Sequence, residues 1–221
     1  MVKPETAAIL LEPVQGEGGL AVAAADYLKG VRAIAEEFGL LLIFDEVQCG
    51  MGRTGRLFAH EWVGVTPDVM ALAKGLGGGF PVGACLMTER AAVGMVAGTH
   101  GSTFGGNPLA MAAANAVLDV MLADGFLAHV RQVAESLRRR LSGLVKDHPR
   151  VFAEVRGTGL LSGLKCVVPN TDMVDRARSL GLLIVSAGEN VVRLMPPLII
   201  EEPQIDEAVS ILDRVARTWM G

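Results

Sequence analysis

Asp45 and Lys74 are residue types that do chemistry, and each follows directly on a short apolar run: "LLLIFDEVQ" from Leu40 and "DVMALAKG" from Asp68. A carboxylate at a strand tip can hold a cation or a proton on a nitrogen base. A lysine amine can attack a carbonyl or serve as a general base. In open α/β sheets, ligands bind beyond the carboxyl ends of the strands. If both runs are strands of one sheet, Asp45 and Lys74 reach the same edge of it.

Three chemistries could use such an edge. A nucleotide hydrolase would place Asp45 or Glu46 near magnesium, but it needs G-x-x-x-x-G-K-[ST] to cradle phosphates. No such loop occurs, and Lys74 is followed by Gly75. Gly50, Gly52 and Gly55 spell the G-x-G-x-x-G of a dinucleotide loop, which should leave its strand directly and open a helix. Here "DEVQC" intervenes, and "RTGRLFAHEW" carries no long helical stripe. A pyridine cofactor uses both residues at once. Pyridoxal phosphate is held covalently by a lysine, and a carboxylate against its ring nitrogen keeps that nitrogen protonated and the ring electron-withdrawing. On spacing alone, a turn-capping Asp45 and a solvated Lys74 stand as an equal alternative.

The elements that must position these groups alternate through the first half. "AAILLEP" (Ala7 to Pro13) predicts a strand. Asp26 to Phe38 predicts a helix with Leu28, Val31, Ile34, Ala35 and Phe38 on one stripe, Asp26 capping its start and Gly39 ending it. Leu40 to Phe44 is a second strand. Strand, helix and strand in that order imply a right-handed crossover and parallel pairing. Asp68 to Ala73 and Val82 to Thr88 predict further strands. Asn107 caps a helix with Pro108 in its first turn, running to about Leu122. Gly125 to Leu144 predicts another, with Leu127, Val130, Leu137, Leu141 and Leu144 inward. From about Val151 the texture changes: "VFAEVR", "GLLSGLKCVV" and "VVRLM" read as strands around a helix at Asp172 to Ser179. A last helix follows Pro203, with Ile205, Ala208, Val209, Leu212, Val215 and Trp219 inward. The expected fold is α/β, with a large-domain part over 1–123 and a small α+β domain over 124–221.

The net charge of −4 is spread over mixed signs with no basic stripe, which argues against nucleic acid as a partner. No uninterrupted apolar run reaches the roughly 18 residues of a membrane helix, and no signal-peptide pattern opens the chain. A soluble, cytoplasmic protein is expected. Cys49, Cys85 and Cys166 show neither a disulfide framework nor a zinc spacing, and read as reduced thiols. His60, His100, His129 and His148 form no metal-ligand pair and read as surface or loop histidines; no metal is expected. A mean hydropathy of +0.41 points to apolar surface facing another subunit or a further part of the protein.

Six segments, in order, resemble the class III (ornithine-type) pyridoxal-phosphate aminotransferases: "LEPVQGEGG", "LLIFDEVQCGMGRTG", "PDVMALAKGLGGGFPVGA", "GSTFGGNPLA", "EVRGTGLLSGL" and "VVRLMPPLII". Together they run over nearly the whole chain. "GMGRTG" and "KGLGGGFPVGA" are more similar to the acetylornithine branch than to the ornithine or 4-aminobutyrate branches, with the ornithine, succinylornithine and 4-aminobutyrate enzymes as the close rivals.

The resemblance implies a fold-type I enzyme with pyridoxal 5'-phosphate as cofactor. It would transfer an amino group from an ω-amino donor such as N-acetylornithine to 2-oxoglutarate, in arginine biosynthesis, and be a homodimer when complete. By the same resemblance, Lys74 binds the cofactor covalently and Asp45 partners its ring nitrogen. Val47, expected to face the same side of the extended segment as Asp45, packs on the ring, and Gln48 bonds the ring hydroxyl. Thr103 reaches the cofactor phosphate of the neighbouring subunit. Arg193 clamps the substrate α-carboxylate through its planar fork, and Glu17 pairs with it until a dicarboxylate arrives. The resemblance begins in the middle of the family's large domain. The family's glycine-containing phosphate loop, its ring-stacking aromatic residue and its distal-carboxylate arginine are not matched. The expectation is therefore the carboxyl-terminal part of such an enzyme. The rival from another class is a non-catalytic remnant serving as a dimerisation module.

Overall fold

A computed structural model describes residues 2–219. In chain order its regular elements are β1 (Ala8–Leu11), β2 (Val14–Gln15), β3 (Ala21–Val22), α1 (Ala25–Glu37), β4 (Leu41–Asp45), β5 (Val69–Leu72), β6 (Ala84–Met87), α2 (Glu89–Ala92), α3 (Pro108–Met121), α4 (Phe126–Asp147), β7 (Phe152–Thr158), β8 (Leu161–Cys166), α5 (Asn170–Ser179), β9 (Val185–Ala187), β10 (Val191–Leu194) and α6 (Glu202–Arg217). Short 3-10 turns occupy Ala59–Trp62 and Lys74–Gly77.

Two compact units are present. The first comprises the chain up to Pro13, Ala23–Gly52 and Arg56–Phe126. The second comprises Val14–Val22, Arg53–Gly55 and the chain from Leu127 on.

The first unit is built on a four-stranded sheet in the order β1-β4-β5-β6. β1, β4 and β5 run parallel, as the crossover argument requires, and β6 is antiparallel to β5. Along β4 the pleat alternates: Leu42 and Phe44 are fully buried, while Leu41, Ile43 and Asp45 are half-buried. The buried face meets α1 through Leu28, Val31 and Ala35, with Leu28 and Val31 each contributing about 1.5–3 kcal/mol by leaving water. α1 ends at Gly39 as expected, by a specific device. Leu40 N–H bonds Ala35 O at 2.8 Å and Gly39 N–H bonds Glu36 O at 3.3 Å, with Gly39 at φ +66°. This paired closure is the Schellman motif, and it aims the chain straight into β4.

The start of α1 differs from expectation. Ala24 is the cap residue, without a side-chain bond, and Asp26 lies in the first turn, where its charge faces the helix dipole. Ile34 and Phe38 are exposed rather than inward. They are spaced four apart on the flank of a stripe only as wide as Leu28, Val31 and Ala35. Asn107 does cap α3, accepting Ala110 N–H at 2.9 Å, with Pro108 in the first turn.

The second unit holds an antiparallel sheet in the order β7-β8-β10-β9 and the small hairpin of β2 and β3. Its core includes Leu137 and Leu141 of α4, Leu161 and Leu164 of β8, Val191 and Val192 of β10, and Ile205, Leu212 and Val215 of α6. Ala208, Val209 and Trp219 are only half-buried, while Ile211 and Ala216 take inward positions. Of the four histidines, His100 is exposed in a loop and His148 lies in the loop after α4, as expected, whereas His60 and His129 are half-buried in helical turns. His148 is 5% exposed and its Nε2 lies 2.7 Å from Asp213 Oδ1. His129 bonds Ile200 O, and His60 bonds Glu46. Among the described residues, no single helix is long and apolar enough to cross a membrane.

Candidate active site

β4 and β5 are neighbours in parallel register, with Asp45 opposite Ala71. β5 ends at Leu72, and Lys74 opens the 3-10 turn that follows Ala73. The carboxylate and the amine thus stand at the carboxyl ends of adjacent parallel strands, the place where an open α/β sheet binds its ligand.

Asp45 is half-buried, and its Oδ1 accepts Val47 N–H at 2.9 Å. No partner contacts its second oxygen among the described residues. Lys74 is exposed, and its ammonium likewise has no partner there. Its backbone is unusual, with φ +48° in the left-handed region. That conformation costs an L-residue about 1–2 kcal/mol, and such strain collects where position matters more than stability.

The extended segment expected to run through Val47 ends at Asp45. From Val47 the chain turns, closed by Gly50 N–H on Glu46 O at 2.9 Å. Val47 therefore presents its N–H to the Asp45 carboxylate, and both Val47 and Gln48 are half-buried in the turn. The G-x-G-x-x-G residues lie in turns and bends, and the only helical segment after them in this loop is Ala59–Trp62. A dinucleotide fingerprint requires a helix opening at the glycines, so that reading is not supported.

Thr103 lies exposed in the segment leading to α3, where Ser102 Oγ accepts Gly105 N–H at 2.9 Å. Arg193, on β10, and Glu17, in the β2–β3 hairpin, belong to the second unit. Their side chains form a two-pronged ion pair, Nη1 to Oε1 at 2.7 Å and Nη2 to Oε2 at 3.1 Å. The arginine side chain is 9% exposed and the glutamate 70% exposed. The guanidinium is therefore buried, while the carboxylate that pairs with it is the solvent-exposed member.

Arg53 was not singled out from sequence. It donates to Leu160 O at 3.4 Å and to Pro196 O at 2.5 Å, just beyond β10, and burial draws its guanidinium below the ordinary value. The "GRTG" stretch is further tied to the β7–β8 turn through Leu160 N–H on Arg53 O at 3.0 Å. Glu46 was weighed only as a magnesium neighbour, although its internal pairing could have been found. It continues the parity of Leu42 and Phe44, and a carboxylate at a core-facing position must have an internal partner.

As a donor set, the strand-tip pair suits pyridoxal phosphate. One carboxylate oxygen is open to accept a ring N–H, and an unpaired amine is available for the aldehyde. No group of three or more His, Cys, Asp or Glu side chains that could hold a metal occurs among the described residues.

Acetylornithine aminotransferase of Mesorhizobium japonicum is 58% identical over 209 residues, covering 95% of this chain and 52% of that protein. Its namesake in Brucella melitensis biotype 1 is 58% identical over 212 residues, covering 96% and 53%. Among solved structures, N-acetylornithine aminotransferase from Stenotrophomonas maltophilia K279a superposes with a TM-score of 0.87 at 38% identity, covering 97% of this chain and 57% of that one. Plasmodium falciparum ornithine delta-aminotransferase gives a TM-score of 0.91 at 35% identity, covering 98% and 57%. The chain spans about half the length of the curated relatives it matches. The family model that matches it, Aminotransferase class-III, extends over residues 1–216, and members of that family are pyridoxal-phosphate enzymes. On that match, the chain belongs to the class-III aminotransferases.

Proposed function

We propose that this chain supplies the lysine and the ring-nitrogen carboxylate of a transamination site. The observation that carries the reading is the placement of Asp45 and Lys74, each with an unpartnered polar group, at the carboxyl ends of adjacent parallel strands. In this assignment residues 1–123 belong to the cofactor-binding large domain and residues 124–221 form the small domain.

Lys74 would hold the cofactor, Asp45 would bond its ring nitrogen, Val47 and Gln48 would line it, and Thr103 would serve the phosphate of a second copy. When bound, the cofactor supplies an electron sink for the charge left on the substrate carbon. Asp45 keeps a proton on the ring nitrogen by remaining an anion beside it. Lys74 Nζ, released as a free amine, takes the proton from the amine-bearing carbon of the donor.

Arg193 clamps the α-carboxylate with its rigid fork. When the acceptor is a dicarboxylate, Glu17 gives way, because it is the exposed member of the pair. The donor we assign is N-acetylornithine or a related ω-amino compound such as ornithine, succinylornithine or 4-aminobutyrate. The acceptor is 2-oxoglutarate, the setting arginine biosynthesis in the cytoplasm, and the working form a homodimer.

The reading is tested by mixing the chain with pyridoxal phosphate, reducing with borohydride and mapping the adduct by mass spectrometry beside Lys74→Ala. An adduct confined to Lys74 is expected. Equal labelling of the other lysines, or labelling that persists in Lys74→Ala, overturns the assignment. One observation favours a second reading, a dimerisation module without catalysis. Phe104 is 82% exposed and Leu109 on α3 66% exposed. That reading predicts a stable dimer and no Lys74 adduct.

A further inference from the structure

Glu46 is fully buried, yet the site as assigned gives it no role. Its carboxylate accepts three bonds from one short stretch: Ala59 N–H on Oε2 at 2.5 Å, and His60 N–H and His60 Nδ1 on Oε1 at 2.9 and 2.8 Å. In the tautomer that carries its proton on Nδ1, the imidazole donates to the carboxylate as the two main-chain N–H groups do. The imidazole is held in turn by aromatic neighbours. It stacks on Phe58 at 5.7 Å and 8°, and lies 6.2 Å from Phe44, the penultimate residue of β4.

This cluster closes the base of a loop. β4 ends at Asp45, the next residue is clamped to Ala59 and His60, and everything from Val47 to Phe58 is the excursion between. Within the loop, Gly50 N–H bonds Glu46 O. A Cβ at Gly50 would lie 2.7 Å from that oxygen, so the glycine is required for so close an approach. The turn therefore hangs from Glu46 through its main chain while the side chain anchors it to the far end of the loop. Val47 N–H, the one group that bonds the Asp45 carboxylate among the described residues, belongs to this turn.

We infer that Glu46 and His60 are a positioning pair that fixes the orientation of Asp45 by pinning the turn on which its carboxylate leans. Neither touches the reacting atoms. A catalytic carboxylate must be preorganised by groups that are themselves locked. A buried, triply bonded carboxylate supplies such a lock, because each bond to an ion inside the protein is stronger than its counterpart in water. The catalytic meaning of this pair rests on the function proposed above, but the pinning itself does not require the cofactor.

The experiment is residue-resolved amide exchange by NMR on the full chain, comparing the natural sequence with His60→Ala and His60→Asn. Asparagine places an N–H close to the position of Nδ1. In His60→Ala the Val47 amide is expected to exchange about tenfold faster, the equivalent of one charge-assisted bond. Leu42 and Phe44 in β4 should keep their protection, and His60→Asn should restore most of it at Val47. Unchanged Val47 exchange in His60→Ala overturns the inference. So does an equal loss at Leu42 and Phe44, which would mark general destabilisation, or an asparagine variant no better than alanine.

A second readout uses bound pyridoxal phosphate. His60→Ala should move the pH midpoint of its absorbance downward, because a misoriented Asp45 holds the ring proton less well. A purely structural pair would leave that midpoint unmoved. If Lys74 takes no label while Val47 responds as expected, the proposed function fails and the positioning pair stands.

Discussion

Two aspartates flank the same pair of parallel strands at opposite ends, and they are solvated in opposite ways. Asp68 precedes β5 at the amino end, is 8% exposed, and has its carboxylate saturated. It accepts Leu42 N–H at 2.8 Å, Arg32 Nη1 at 2.8 Å and Arg90 Nη2 at 2.9 Å. Asp45 closes β4 at the carboxyl end; among the described residues its carboxylate accepts one bond, from Val47 N–H, and one oxygen is left open. The same residue type serves as a rivet at one end of the sheet and as an instrument at the other. What separates them is whether the fold itself completes the carboxylate's shell. A saturated carboxylate stabilises the protein and can do nothing else, whereas an incomplete one is available to a ligand.

The largest effect expected from this contrast is at the rivet. Asp68→Ala leaves two guanidinium groups without their anion and Leu42 N–H without an acceptor. Breaking a buried pair costs about 3–5 kcal/mol, and the lower end applies because Arg90 is half-exposed and rehydrates. Urea unfolding measures it, and a loss below about 1 kcal/mol would contradict the rivet.

The pH dependence has a definite sign. Burial alone would raise the Asp68 carboxyl, but Leu42 N–H and the Arg32 and Arg90 guanidinium groups outweigh it and hold it at about 2, against 3.8 ordinarily. Its contribution, of order 2 kcal/mol, is therefore fully present above pH 3.8 and disappears as the pH falls through about 2. The natural chain should lose stability over that window, and Asp68→Asn should lose correspondingly less.

How much of this was legible in sequence follows from how far each feature reaches along the chain. β1, α1 and β4 are local patterns punctuated by Pro13 and Gly39, and the shared edge for Asp45 and Lys74 follows from apolar runs ending in charge. Asp68 gave no local sign of its role, because Arg32 lies 36 positions before it and Arg90 22 after. The extended course expected through Val47 is not met, because nothing in "FDEVQC" marks where the pleat stops. Val47 N–H turns back to donate to Asp45 Oδ1, where the strand ends. Arg193 and Glu17 are 176 residues apart, and resemblance alone suggested their pairing. Periodicity placed residues 14–22 and 53–55 with their sequence neighbours, although they pack in the second unit. β9, of three residues, is too short to show a period.

At the other end of the sheet, changes should spare or even raise stability. Lys74→Ala and Lys74→Gly both remove the amine, so both should lose the borohydride adduct. They should differ in melting temperature, because alanine keeps the left-handed strain at φ +48° and glycine relieves it. Glycine is expected to be more stable than alanine there by about 1 kcal/mol. Equal melting temperatures would mean that the turn relaxes when the lysine is gone, and that its strain is not imposed by the surrounding fold.

The smallest change in stability is expected at Asp45, and it makes the contrast with Asp68 sharpest. Asp45→Asn keeps an oxygen for Val47 N–H, and no buried cation depends on the lost charge, so unfolding should shift by less than about 0.5 kcal/mol. Asp68→Asn, the same chemical change 23 positions further on, removes an anion from two arginines and should cost several times more. For cofactor chemistry the order reverses. An amide cannot hold a proton on a pyridine nitrogen as a carboxylate does. Bound pyridoxal phosphate in Asp45→Asn should therefore lose its ring proton at lower pH, read from its absorbance, while Asp68→Asn leaves that titration unchanged. If both variants moved the titration equally, the two ends of the sheet would share one electrostatic field, and an open shell would no longer distinguish the working carboxylate from the structural one.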